Sequence, residues 1–407
     1  MKKILIFAAT AAVVLASCAR TEDTLKSTGQ GDALTFGVYA GRIADTKATY
    51  GDIDLAALQG SADGFGVFAY YTKENDWDDV KTTATPDFMF NQKVAYSAGA
   101  NTTLYPQKWV YTPIKYWPNG QNSTAVDNTT HVDQVSFFAY APYTAVTPAS
   151  GVTVAATAYP ADGQGVVSTS ANDGVNAPTV TFVVPTYSHE QIDLLYATPI
   201  TDVTKQTFGS TINFAFHHAL AKINPQVQAV VDAVSPTTAN LQAETHIILE
   251  ELQITANGTK KGTLNLEDGT WTLASPAENT VITYDKDNSF ASTNTVNGVK
   301  GFDVTETATD LNATYSPMVV PTTIDAGGLK IQANYWVITA DSNLAGGYST
   351  VQNIIYTTNA SAITLAKGKK YNIVVRLGLN SVDFNVYEVD AWSDADPLAP
   401  VDLPRNS

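Results

Sequence analysis

The stretch Leu15-Ala16-Ser17-Cys18 ("LASC") carries the only cysteine in the 407 residues. A thiol is a nucleophile, and here two small residues precede it and leave the neighbouring peptide bond open to approach. Lys2 and Lys3 lie ahead of a nearly unbroken apolar run from Ile4 to Ala16. That run is shorter than the about 20 residues of a membrane span and has the length of a signal-peptide core. This pattern matches a bacterial lipobox. In that chemistry the Cys18 thiol is alkylated by a diacylglyceryl group, cleavage falls before Cys18 and the new amino terminus is acylated. With no second cysteine, structural disulfides and cysteine-based metal sites are ruled out.

The remaining candidate groups are sparse. Among five histidines, His217 and His218 adjoin, but neighbours on a strand point to opposite faces, so they do not chelate one ion together. Asp285, Asp287 and Ser289 alternate as at the start of a calcium loop, yet the glycine at the sixth position and the closing glutamate are missing. A surface turn is the expected reading. The segment 102–120 sets Tyr105, Trp109, Tyr111, Tyr116 and Trp117 among prolines, as either core and corner residues or a platform on which a sugar could stack. There is no GxSxG, HExxH, P-loop or GxGxxG that opens a helix. No cofactor is expected.

The elements that would position these groups are strands. Net charge is −16, with 39 acidic against 23 basic residues; it is dispersed along the chain and argues against nucleic acid as a partner. Apolar residues make up 44%, enough for real cores. Leu34, Phe36 and Val38 alternate; "GFGVFAYY" (64–71) and "VSFFAYAPY" (135–143) are apolar on both faces; "DLAALQG" reads as a short helix. Residues 144–183 are expected to be loops or a decorated hairpin. Asn257-Gly258 and Asp268-Gly269 are the strongest hairpin signals. The predicted division is a signal peptide 1–17, a tether 18–32, an N-terminal β-sandwich 33–205, a C-terminal β-sandwich 206–392 and a proline-rich tail 393–407.

Taken in order, the lipobox, "LTFGVYAGRIADTKA", "GFGVFAYY", "KYWPN", "VSFFAYAPY", "IDLLYA", "FAFHHALAKI" and "YNIVVRLGL" with Trp392 resemble the fimbrillin family of Bacteroidetes, the Mfa-like major and accessory subunits (type V pilins). The resemblance spans roughly residues 33–392. It implies an all-β fold of two tandem transthyretin-like Greek-key β-sandwich domains with few short helices. It implies no enzyme but a structural or adhesive subunit, exported to the outer membrane as a lipoprotein and polymerised into a surface fimbria by strand donation. Its partners would be other fimbrial subunits, an arginine-specific maturation protease, the outer membrane through the lipid, and a host or bacterial surface ligand. In such subunits the protease removes the first strand. Of the four arginines, Arg20, Arg42, Arg376 and Arg405, Arg42 alone directly follows a strand, which makes it the expected maturation site. Pro397, Pro400 and Pro404 remove backbone donors from the tail, so the tail is a poor donor strand and a tip, accessory or alternative stalk role is expected. The rival reading is a glycan-binding surface lipoprotein of a polysaccharide-uptake system, using Trp109, Tyr111, Tyr116 or Trp117 as a concave aromatic patch.

Overall fold

The computed structural model describes residues 33–38, 53, 55–118, 123–124, 130–131, 133–145, 164–171, 177–186, 190–205, 210–230, 245–287, 289–312 and 316–389. Among these the chain is all-β, with two short helices, Leu55–Gly60 and Trp77–Val80. Cys18, Arg42 and the 393–407 tail lie outside the described residues.

The first sheet has nine strands. Phe65–Lys73 and Gln134–Ala141 run antiparallel at its centre, with Phe68 opposite Phe138. Their apolar runs have no polar face because both faces are covered. Phe65, Val67, Phe137 and Ala139 point into one core. Phe68, Tyr70, Phe138 and Tyr140 point into another. The two ends of the sheet are Thr211–Phe214 and Phe216–His218, which are separated in sequence only by Ala215. The sheet therefore curls until its ends meet, enclosing Phe36, Phe65, Trp109 and Phe214. The division expected after residue 205 falls six residues before Thr211, so this core also draws on residues beyond it.

Ala221–Ala229 opens the second half. It pairs in parallel with Lys370–Leu377, which pairs antiparallel with Val382–Val389. Facing this sheet is one built on Thr245–Ala256, Leu329–Ala340 and Tyr348–Thr358. Ile223, Leu252, Ile331, Tyr335 and Ile373 fill the space between the two layers.

A four-stranded sheet ties the halves together. Of the two alternatives expected for 144–183, loops or a decorated hairpin, the described residues show antiparallel pairing of Gly165–Ser170 with Thr179–Val183, and Thr179–Val183 also pairs with Lys261–Asn265 from the second half. Asp268-Gly269 turns Lys261–Asn265 back on Trp271–Leu273 as a hairpin, as its sequence predicts. Asn257-Gly258 does not make the hairpin its sequence predicts: Thr245–Ala256 pairs elsewhere, and the chain crosses to the neighbouring sheet. The turn itself forms, with Gly258 at φ +71°. Thr259 Oγ then bonds Ala256 O at 2.9 Å and Thr280 Oγ at 2.8 Å, steering the chain away from its own strand. Leu264 and Leu266 thereby reach the outer face of the first sheet, beside Phe68 and Tyr140.

Candidate functional site

The short first strand, Thr35–Val38, is the element whose placement bears most directly on function. It runs parallel to Thr211–Phe214 on one side and meets Trp109 on the other. Every residue from Ala33 to Val38 is buried. Leu34, Phe36 and Val38 alternate inward as the sequence predicts, and all three belong to the first core. Phe36 is 1% exposed. Its ring centroid lies 5.2 Å from that of Tyr111, 5.9 Å from Phe214, 6.3 Å from Phe137 and 6.4 Å from Phe65. The contacts with Tyr111, Phe137 and Phe65 are edge-to-face and that with Phe214 is stacked, and aromatic pairs of both kinds add to the burial term.

The backbone of the strand is held on both flanks. Leu34 N donates to Lys115 O at 2.9 Å and Thr35 N to Ser210 O at 2.8 Å. Tyr111 OH donates to Leu34 O at 2.7 Å and accepts from Lys115 N at 3.1 Å. Burial pushes the Tyr111 hydroxyl pKa well above the ordinary phenol value, so it stays a donor. Gly37 faces outward beneath an amide bridge in which Gln107 Nε2 donates to Asn213 Oδ1 at 2.6 Å. A Cβ at position 37 would stand 2.2 Å from both Asn213 Oδ1 and Gln107 Oε1. Glycine thus lets the turn ahead of Trp109 and the strand Thr211–Phe214 clasp across the first strand. The sequence alone gives no signal for this bridge.

A second polar feature joins the motif pieces "DLLYA" and "HAL". Leu195–Ala197 pairs with Phe216–His218, with Leu195 opposite His218. This register brings His218 Nδ1 to 2.7 Å from Asp193 Oδ2. The same oxygen accepts from Ile53 N at 3.0 Å. Asp193 is 1% exposed, so these contacts replace the lost hydration of Oδ2, while the buried Oδ1 has no hydrogen-bond partner among the described residues. His217 points to the other face, where its ring nitrogen bonds Thr198 Oγ at 2.8 Å. Desolvation, then Lys367 and His218, lower its pKa. The two histidines sit on opposite faces, as expected.

The remaining sequence candidates resolve as structure. The Asp285–Ser289 segment closes on itself: Asp287 N bonds Asp285 Oδ1 at 2.8 Å, and Asp285 N bonds Ser289 Oγ at 2.7 Å. Asp287 is drawn to Lys286 and Lys300, which lower its pKa. The aromatic patch required by the glycan-binding alternative is not on the surface. Trp109, Tyr111 and Trp117 are 2%, 5% and 4% exposed and lie in the first core, while Tyr116 alone is exposed, at 54%. The cause is alternation: the inward positions of this segment fill the space around Phe36 and Phe137.

Residues 46–392 match the model of the fimbrillin-like family. The chain is 26% identical over 418 residues to the fimbrium subunit Fim1C of Phocaeicola vulgatus, covering 97% of each chain. Its fold is similar to the crystal structure of a fimbrial protein from Bacteroides vulgatus, with a TM-score of 0.63 and 23% identity over 89% of this chain and 100% of that one. With the family model matched over residues 46–392, which take in the 193–218 contact and most of both cores, this chain belongs to the fimbrillin-like family.

Proposed function

We propose that this protein is a subunit of a cell-surface fimbria, that it is exported as a lipoprotein through Cys18, and that loss of its first strand after cleavage at Arg42 prepares it for polymerisation by strand donation. The family is one of fimbrial subunits rather than enzymes. The observation that carries the reading is the setting of Thr35–Val38. It is a four-residue strand, wholly buried, inserted between two strands that do not otherwise pair.

Removing it would leave an apolar slot lined by Tyr111, Phe137 and Phe214. It would also leave unpaired backbone groups on Thr211–Phe214 and around Trp109. Such a slot is satisfied by an incoming apolar strand, which here a neighbouring subunit would supply. Arg42 lies four residues beyond Val38, so an arginine-specific protease acting there frees the strand together with the lipid. The partners are then other subunits, the protease, the outer membrane before processing, and a surface ligand at the exposed end of the fibre.

Amino-terminal sequencing of subunits taken from surface fibres tests this. The expected first residue is Ile43, and Arg42→Ala is expected to leave lipid-anchored monomers. Fibres that assemble normally from Arg42→Ala cells, or fibre subunits that still carry residues 33–42, overturn it.

A further inference from the structure

Among the described residues the two longest free sheet edges are Tyr348–Thr358 and Val382–Val389. They differ in how they are guarded. Val382–Val389 carries Asp383 and Glu388, the charges that keep sheet edges from pairing with other chains. Tyr348–Thr358, "YSTVQNIIYTT", has eleven residues and no charge, proline or glycine. It pairs with Leu329–Ala340 on one side along its whole length and, among the described residues, with no strand on the other; its Asn353 Nδ2 donates to Leu379 O at 3.0 Å. Tyr348, Val351, Ile354 and Tyr356 are 44%, 52%, 54% and 69% exposed. An edge with these features pairs readily with another strand.

We propose that this edge is a lateral self-association surface, at which Tyr348–Thr358 of two copies of the protein pair antiparallel. Charge favours a second copy here. Each chain carries a net −16, so two copies repel over most of their surfaces, and this strand brings no charge of its own to the contact. The sequence is also self-complementary. Centred on Asn353, an antiparallel pair aligns all eleven residues, with Val351 opposite Ile355 of the second copy and Tyr356 opposite Thr350. Both are apolar or aromatic–β-branched cross-strand pairs that favour sheets.

The contact is small. Eleven residues at about 3.4 Å each make an edge roughly 37 Å long. If the covered strip is about 10 Å wide, two copies bury roughly 700 Å², below the about 1,200 Å² of stable interfaces. A single pair is therefore weak, with a dissociation constant on the order of 100 µM. In a fibre, which rests on the function proposed above, the edge recurs once per subunit. Avidity then turns a weak pairing into side-by-side alignment of fibres.

The test uses unassembled full-length protein and so is independent of fibre formation. Hydrogen exchange of the 348–358 amides is followed at protein concentrations from about 5 to about 500 µM, a range that brackets the expected constant. Exchange is expected to slow with concentration, and to slow more at high salt, because screening reduces the repulsion between anionic copies. Ile354→Lys sets like charges close together across the pair and is expected to weaken the association at least tenfold. Val281→Lys, at a 41%-exposed position on Thr280–Asp285, which two strands separate from Tyr348–Thr358 in the same sheet, is expected to leave it intact. Exchange at 348–358 that is independent of concentration, protection that survives Ile354→Lys, or protection that salt weakens overturns the proposal.

Discussion

Replacing Phe36 by alanine tests whether the first strand is the keystone of the N-terminal core. The side chain is 1% exposed and its ring meets four others, from Phe65, Tyr111, Phe137 and Phe214. Phenylalanine-to-alanine changes in cores cost about 3–5 kcal/mol, and the cost rises with the cavity that remains. The upper part of that range applies here. The four neighbouring rings come from separate segments, Phe65 and Phe137 pinned by their own strand pairing and Phe214 and Tyr111 tied to the backbone of the first strand, which the substitution leaves in place, so they cannot collapse into the space. Lost edge-to-face contacts add about 0.5–1.5 kcal/mol for each pair not re-formed. A loss of about 4–5 kcal/mol in the unprocessed protein is expected, and Phe36→Leu, which keeps most of the volume, is expected to cost less than about 2 kcal/mol. Urea unfolding followed by tryptophan fluorescence measures it, since Trp109 lies 5.1 Å from Phe65 in the same core. The midpoint should fall with the slope unchanged, the mark of a stability change without a change in exposed surface. A loss below about 1 kcal/mol would show that the strand is peripheral to the core, and the slot argument would fail with it.

Three further outcomes follow from local geometry. Gly37→Ala places a methyl against the Gln107–Asn213 bridge; it should cost about 1 kcal/mol, the value of one hydrogen bond, in thermal unfolding, and in a Gln107→Ala background, where that bond is already gone, it should add little further cost. His218→Ala strips the 2.7 Å partner from buried Asp193 and should cost about 2–3 kcal/mol. His218→Asn should recover part of the loss, and amide exchange at Ile53, bonded to the same oxygen, should quicken in the alanine variant. At high pH the tyrosines set the limit. Burial, with the Asp133 bond, pushes Tyr71 up to about 12, and burial pushes Tyr335 up to about 12, while Tyr70, Tyr140 and Tyr284 are shifted beyond that range. Unfolded tyrosine ionises near 10, so between about pH 10 and 12 the unfolded chain has released protons that the folded chain retains, and stability must fall. Part of the phenolate absorbance, that of the buried tyrosines, should appear only together with loss of structure; ionisation of the full tyrosine complement in a chain that stays folded would contradict the burial.

Much of this protein was legible in its sequence because strand patterning is a local signal. Alternation at Leu34, Phe36 and Val38 identified the inward face of the first strand. The two-faced apolar runs at 64–71 and 135–143 already implied that both faces are covered. The opposite facing of His217 and His218 follows from a period of two residues. The tertiary structure alone decided which segments meet. Asn257-Gly258 is a hairpin signal, yet its flanking strands go to different sheets, because Leu264 and Leu266 find their burial against Phe68 and Tyr140 far earlier in the chain. The aromatic segment 105–117 was open to two readings until packing around Phe36 and Phe137 took Trp109, Tyr111 and Trp117 inward and left Tyr116 outside. The Gln107–Asn213 clasp over Gly37 joins residues 106 positions apart. Local sequence sets backbone preference and side-chain alternation, but burial is a property of the whole chain, and it settles which of several compatible partners each strand takes.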